Sequence, residues 1–144
     1  GRAEALIVLG RKAEALAAFQ ALLQRAPHRE GAVARAAGLA EDMGRLDLAR
    51  DYWQKAVTLS PERVTYRRRL ALVLENLQDW QALGPASQEW LRREPASVEA
   101  RLLRVRGLLH QGHRTEAQAE FARLRALPPP NLEQLEAWFA DQVR

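Results

Sequence analysis

The sequence predicts an all-α protein built from stacked helical hairpins. The first observation is a fixed period, because Pro27, Pro61, Pro95 and Pro129 follow one another at intervals of 34 residues. A repeat of that length is typical of two helices joined by short turns, each hairpin covering the apolar face of the next. The second observation is composition. Hydrophobic residues make up 47% of the 144-residue chain, and they are mainly alanine and leucine, which suits a packed helical core.

Three more positions recur with the prolines. They lie 17, 12 and 8 residues before each proline and hold a glycine, an alanine and an aromatic residue in three of the four repeats. A glycine can end a helix in the left-handed conformation, a small alanine lets two helices cross closely, and the aromatic ring fills the gap beside it. The recurring residues are Gly10, Gly44 and Gly112; Ala15, Ala49 and Ala117; Phe19, Trp53 and Phe121.

This combination of residues at fixed offsets resembles the tetratricopeptide repeat (TPR) family over essentially the whole chain. The resemblance implies a right-handed α-α superhelix, or TPR solenoid, with a C-terminal capping helix. Gly1 falls inside a first helix when the repeat is counted back from Pro27, so we expect a module of a larger protein. We expect a single TPR domain over 1–144, with a partial repeat at 1–29, full repeats at 30–63, 64–97 and 98–131, and a terminal helix at 132–144.

The repeat frame predicts nine helices. They are expected near 2–9, 12–25, 30–43, 46–59, 64–77, 80–93, 98–111, 114–127 and 132–143. Gly10 should separate the first two of these helices, as the other glycines should in later repeats. The stop at Pro128, Pro129 and Pro130 should precede an N-cap at Asn131.

The third repeat departs most from the pattern. It has Gln78 in place of the glycine, Leu83 in place of the alanine and Ser87 in place of the aromatic residue. Pro85 lies inside its second predicted helix, where proline removes a backbone hydrogen bond. We therefore expect a bent or late-starting helix, with neighbouring Trp80 and Trp90 refilling the lost volume.

The last helix is predicted to be amphipathic. Its apolar face consists of Leu132, Leu135, Trp138, Phe139 and Val143. A repeat array needs such a helix to cover its last apolar surface, so we interpret it as a cap or the start of another repeat. A docking helix for another molecule is the alternative interpretation.

Residues suited to catalysis are sparse, and we expect neither an enzyme nor a cofactor. The chain has no cysteine, which excludes disulfides and thiolate metal sites. His110, His113 and Glu116 have a spacing that loosely suggests a metal site, but Gly112 should end the helix between the histidines. Histidine near a helix C-terminus is also favoured by the helix dipole. No serine shows a nucleophile pattern, and no phosphate-binding glycine loop is present.

The net charge is +4, and 20 of the 22 basic residues are arginine. This charge is mild for the length, and the dense basic stripe with stacking aromatics that marks nucleic-acid binders is missing. No run approaches the roughly 18 apolar residues of a membrane span, and no secretory leader is visible. We therefore expect a protein or peptide ligand rather than nucleic acid or a membrane.

The TPR resemblance also implies where a partner binds, because first helices of successive TPR repeats line a concave groove. Carried over to this sequence, the groove has a basic centre, a leucine-rich end, and acidic Glu41, Asp42 and Glu75 along the other helix ends. Arginine pairs bidentately with carboxylates, so an acidic and apolar peptide fits this surface. The expected partner-binding residues are Arg35, Arg68, Arg69, Arg106, Leu102 and Leu103. The alternative is that the arginines only solvate the groove.

Arg104 is an anomaly, since the TPR family places a buried leucine there. A buried arginine needs a partner or a path to water. We expect Arg104 to pair or to extend to the surface. A rotated helix is an equally good interpretation, because Val98, Leu102, Val105 and Leu109 form an alternative apolar stripe.

Three functions are compatible with these patterns. The first is a scaffold that captures a peptide or helix in the groove. The second is a structural spacer or self-association segment of a longer bacterial TPR array, such as those of polysaccharide-export or assembly machinery, and this idea rests on family analogy. The third is binding of an anionic polymer, which should weaken steeply with salt.

Overall fold

The computed structural model describes residues 2–126, 129 and 131–144, with side chains from residue 8 onward. Gly1, Leu127, Pro128 and Pro130 lie outside the described residues, so the predicted helix end at 127 is not described, and the predicted triple-proline stop is described only at Pro129. All regular structure in the described part is α-helix. The eight helices are α1 (Arg2–Arg25), α2 (Glu30–Asp42), α3 (Leu46–Leu59), α4 (Val64–Asn76), α5 (Trp80–Arg93), α6 (Val98–His110), α7 (Arg114–Ala126) and α8 (Leu132–Gln142).

The chain forms two compact units, Gly1–Leu77 and Gln78–Arg144. The first unit contains α1 to α4, and each helix packs against the next in the chain. In the second unit α5 packs on α6 and α6 on α7. The pairs α2/α3 and α6/α7 are the predicted hairpins, and their bounds agree with the expected ones to within one residue.

Small residues bring the helices of the first unit close together. Ala36, Ala37 and Ala40 of α2 and Ala49 of α3 are fully buried. Because these side chains are short, the two helices approach closely enough for the buried ring of Trp53 to fill the space beside them. The recurring alanine and aromatic positions therefore have the packing role that the sequence predicts.

The core of the second unit joins α6, α7 and α8. Its buried members are Val105, Leu108, Ala117, Phe121, Leu124 and Phe139. The rings of Phe121 and Phe139 stack with centroids 4.2 Å apart. Leu135, Trp138 and Val143 of the last helix also pack against this cluster. The prediction that α8 is amphipathic is confirmed, because its predicted apolar face packs against the core. Asn131 is the N-cap residue as predicted, but its side chain makes no capping hydrogen bond.

The turns inside the hairpins use a left-handed residue. Gly44 and Gly112 have φ angles of 73° and 79°, and Gln78 occupies the equivalent position with a φ of 58°. After each glycine the next amide closes the helix, with Arg45 N donating to Ala40 O at 2.8 Å in the first unit. The turn at Gln78 therefore has the same geometry, although a glutamine adopts the left-handed conformation less easily than a glycine does.

The predicted helix break at Gly10 is wrong. Helix α1 runs without interruption from Arg2 to Arg25, and Gly10 does not have a positive φ. Arg11, Lys12 and Ala13 all favour helix, so continuing through one glycine costs only about 1 kcal/mol.

Of the two expectations for α5, a bend or a late start, the late start is wrong. The helix begins at Trp80, where the Asp79 carboxylate accepts the Ala82 amide at 3.2 Å. Pro85 lies within the helix. The buried Ser87 hydroxyl donates to Gly84 O at 3.0 Å, so it bonds to the backbone beside the proline. Trp90 is almost fully buried, in agreement with its predicted role of refilling volume.

Candidate functional site

Three of the arginines expected to bind a partner lie in the first unit. Arg35 belongs to α2, and Arg68 and Arg69 belong to α4. Arg35 and Arg68 are exposed, while Arg69 is half-buried. The contacts around these side chains differ from one arginine to the next.

Arg69 is held by a carboxylate and an aromatic ring. Trp53 Nε1 donates to Glu41 Oε2 at 2.7 Å, and Arg69 Nε lies 4.0 Å from the same oxygen. The guanidinium carbon of Arg69 is 5.6 Å from the centroid of the Trp53 ring, within cation–π range. The side chain of Arg69 is still 42% exposed. Glu41 thus orients Arg69 while leaving part of its guanidinium open to water.

Glu30 connects the start of α2 with the α3–α4 turn. The Ser60 hydroxyl donates to Glu30 Oε2, and the Tyr66 hydroxyl donates to Oε1 at 2.8 Å. Arg63 Nε lies 2.7 Å from Oε1. The hydrogen bonds from Ser60 and Tyr66, helped by the charge of Arg63, lower the pKa of Glu30 although burial acts against them. Burial and the hydrogen bond to this carboxylate raise the pKa of Tyr66.

Arg35 lines a cavity of about 390 Å³ between α1 and α2. The cavity has an apolar side and a charged side. Its lining residues are Ala15, Phe19, Arg35, Gly38, Leu39 and Asp42. Lys12 Nζ pairs with Asp42 Oδ2 at 3.5 Å, whereas Arg35 makes no ion pair with the described residues. An apolar side chain and a carboxylate can both be accommodated here.

The remaining predicted residues belong to α6 in the second unit. Arg106 is half-buried, and Leu102 is partly buried and packs against the core cluster of that unit. Leu103 is completely buried. Its side chain has no surface with which to contact a partner, because it forms part of the interior of the fold.

The histidines do not form a metal site in the described residues. No group of three or more metal-ligating side chains occurs in that part of the chain. The His110 ring stacks on Trp80 with a centroid distance of 3.9 Å and an interplanar angle of 3°. His113 Nδ1 lies 3.8 Å from Glu116 Oε1. The two histidines therefore take part in separate contacts.

Sequence reasoning missed a charged cluster in the second unit. Arg101 and Glu120 are both buried and are joined by a hydrogen bond of 2.8 Å. Arg104, the predicted anomaly, has Nε 3.4 Å from Glu120 Oε1, so its expected pairing is confirmed. The sequence signal that could have found the cluster is Glu120, an acidic residue directly before the recurring core aromatic Phe121.

Fold and surface together define a helical-hairpin repeat protein. Comparison with solved structures identifies the fold as the TPR fold. YrrB, described as a TPR protein with an unusual peptide-binding site, superimposes with a TM-score of 0.70 at 23% identity. The match covers 88% of this chain and 66% of YrrB. The chain therefore spans about two thirds of YrrB.

Solved structures of MamA also share the fold of this chain. One MamA structure gives a TM-score of 0.71 at 15% identity, covering 88% of this chain and 69% of MamA. MamA from Desulfovibrio magneticus RS-1 gives 0.67 at 18% identity, covering 85% of this chain and 70% of that one. No protein-family model matches the sequence, and no curated protein matches it. Among the described residues no helix is long and apolar enough to cross a membrane.

Proposed function

We propose that this chain is a protein-interaction module that binds a peptide or helix segment with acidic and apolar side chains. The observation that carries the proposal is the cavity that Arg35 lines together with Phe19 and Leu39. Such a cavity combines an apolar contact area with a cation that pairs bidentately with carboxylates. The likeness to YrrB, which is described as having a peptide-binding site, supports the same class of ligand.

Arg69 is the second anchor in this proposal. Because Glu41 and the Trp53 ring already orient its side chain, a ligand carboxylate meets a guanidinium that loses little further freedom on binding. Arg68, its exposed neighbour, adds positive charge that steers an acidic segment toward the surface. In the second unit Arg106 and Leu102 remain proposed contacts. Leu103 is left out because it is buried.

The proposal can be tested by selecting ligands from a random peptide library displayed on phage. Selected peptides should be enriched in Asp or Glu next to large apolar residues. Their dissociation constants should rise at least tenfold for Arg35→Ala and for the double variant Arg68→Ala/Arg69→Ala, since a charge-assisted hydrogen bond is worth about 1.5–3 kcal/mol. Fluorescence anisotropy of labelled peptides measures these constants.

The matched control is Arg29→Ala/Arg45→Ala. Both arginines are exposed N-cap residues of the same unit, and neither side chain makes a capping hydrogen bond. This variant removes the same charge as Arg68→Ala/Arg69→Ala. If the control weakens binding as much as the test variants, or if selection yields no consensus, recognition by this surface is excluded.

Self-association is the second candidate function. Val8 and Leu9 on α1 are 49% and 44% exposed, and they are the large exposed hydrophobic residues of the described part. Large contiguous exposed apolar patches mark interaction sites, and Val8 and Leu9 are the candidates for such a contact among the described residues. Sedimentation velocity over a range of concentrations should show a dimer that Val8→Ser/Leu9→Ser abolishes. A monomer at every concentration would exclude this candidate.

A further inference from the structure

A second cavity in the second unit is lined mainly by arginines. It has a volume of about 340 Å³ and lies among α5, α6 and α7. Four guanidinium groups and a single carboxylate line it, so the charge of the lining is strongly positive. Its charged and polar lining residues are Gln88, Arg92, Arg101, Arg104, Glu120 and Arg123.

Glu120 is shared by three of these arginines. Its Oε2 accepts from Arg101 Nη1 at 2.8 Å, and its Oε1 accepts from Arg123 Nη1 at 2.9 Å. Arg104 Nε lies 3.4 Å from Oε1. Because one carboxylate has only two oxygens, it cannot occupy the donors of three guanidinium groups, each of which has five N–H bonds. Donors therefore remain for another acceptor.

The buried Arg101 gives a second reason to expect an anion in this cavity. The residue is 8% exposed, and besides Glu120 it donates to the Pro95 carbonyl, through Nη2 at 2.9 Å. Its Nε is buried and has no hydrogen-bond partner in the described part of the chain. A buried arginine that is incompletely paired is unfavourable, and an anion in the adjoining cavity would reduce that cost.

Arg92 and Arg123 are the accessible arginines of this lining. The side chains of Arg92 and Arg123 are 67% and 66% exposed. Arg92 Nη1 is 2.7 Å from Glu89 Oε1, one turn earlier on α5. Because exposed ion pairs of this kind contribute little, the side chain of Arg92 can turn toward a ligand at small cost. Arg123 pairs with the buried Glu120 carboxylate and still exposes most of its side chain.

We propose that this cavity binds a phosphate group. A phosphate carries nearly two negative charges near neutral pH and three strong acceptor oxygens, so it balances the lining better than one carboxylate does. Its oxygens accept hydrogen bonds from several guanidinium forks at once. The ligand is free phosphate or a phosphate monoester. None of the lining residues is among the residues proposed to contact a peptide, so the two proposals stand separately.

The first test is calorimetric titration with inorganic phosphate and with phosphoserine, each at fixed ionic strength. We expect saturable binding that is at least tenfold weaker in Arg123→Gln and in Arg92→Gln. Arg93→Gln is the matched control, because Arg93 is exposed on the same helix but does not line the cavity. Tighter binding of phosphoserine would assign the ligand to a monoester, and equal binding would assign it to the phosphate group alone.

Glu120→Gln is the second test. This change removes the carboxylate that competes with the ligand while keeping a side chain of similar size. We expect the variant to be less stable without ligand, and phosphate to raise its Tm by more than it raises that of the wild type.

Three results would overturn the proposal. One is the absence of saturable phosphate binding together with no effect of phosphate on the Tm of Glu120→Gln. Another is equal weakening by Arg93→Gln and Arg123→Gln, which would reveal a general charge effect. The third is acetate binding as tightly as phosphate at the same ionic strength.

Discussion

Trp53 and Glu41 are joined by a 2.7 Å hydrogen bond from the indole nitrogen of α3 to a carboxylate of α2. The indole is almost fully buried, and the carboxylate is also the anion nearest to Arg69. A single acidic side chain thus satisfies a core aromatic residue and orients a surface arginine. The core and the proposed ligand surface of the first unit are coupled at this carboxylate.

Glu41→Ala should destabilise the protein by about 1–3 kcal/mol, because it leaves the buried indole N–H without an acceptor. Glu41→Gln keeps an acceptor oxygen and should cause a smaller loss. Urea unfolding followed by circular dichroism measures both. In Trp53→Phe the donor is gone, so Glu41→Ala in that background should have a much smaller effect, and an unchanged effect would contradict the coupling.

Stability should fall in acid because of Glu30. Its pKa is lowered from an ordinary value of 4.5, so its contribution is fully present above that value and is lost as pH falls through the folded-state pKa. Glu30→Gln should flatten the dependence of the unfolding free energy on pH below about pH 5. The control is Glu62→Gln, which removes the same charge at an exposed position. Equal slopes for wild type and Glu30→Gln would show that the Ser60 and Tyr66 contacts do not form in solution.

Gln78→Gly should stabilise the protein by about 1 kcal/mol, because Gln78 has a φ of 58° and the left-handed conformation costs a non-glycine residue about 1–2 kcal/mol. Part of that gain is offset by the flexibility of glycine in the unfolded chain. Thermal unfolding measures the change. The reverse substitution, Gly112→Gln, introduces the same strain at a φ of 79° and should lower the Tm. A decrease in Tm for Gln78→Gly would mean that the glutamine side chain makes a compensating contact.

Phe139→Ala should destabilise the protein by about 3–5 kcal/mol, since it removes a buried ring that stacks on Phe121. Trp138→Ala, on the same helix but only partly buried, should cost less. Denaturant unfolding measures both variants. If the two losses are equal, α8 does not close the core through Phe139.

The repeat frame was predictable because it depends on residues whose effects are local. Pro27, Pro61 and Pro95 each stand two residues after the end of a helix, and Gly44 and Gly112 adopt the turn conformation without strain. Helix bounds followed from these positions to within a residue. The helix break predicted at Gly10 is wrong because a glycine permits a helix to end but does not force it to end.

The candidate site was less predictable. The sequence places Arg69 on the expected helix, but only packing decides that Glu41 and Trp53 lie close enough to hold it. Leu103 was expected to contact a partner and is completely buried. Spacing along the chain does not decide which face of a helix meets its neighbours. The charged cluster around Glu120 depends on side chains from different helices, and their distances are set by the fold and not by spacing along the chain.

The hydrogen bonds that Glu30 and Glu41 accept from Ser60, Tyr66 and Trp53 are specific to one repeat. A displacement of the chain by one 34-residue repeat would bring Ser87 to the place of Trp53 and Ala100 to the place of Tyr66. The same displacement would bring Glu94 to the place of Ser60, so that two carboxylates would oppose each other. Hairpins of similar shape can dock in the wrong order while they fold. The contacts of Glu30 and Glu41 penalise that error for the hairpin formed by α2 and α3.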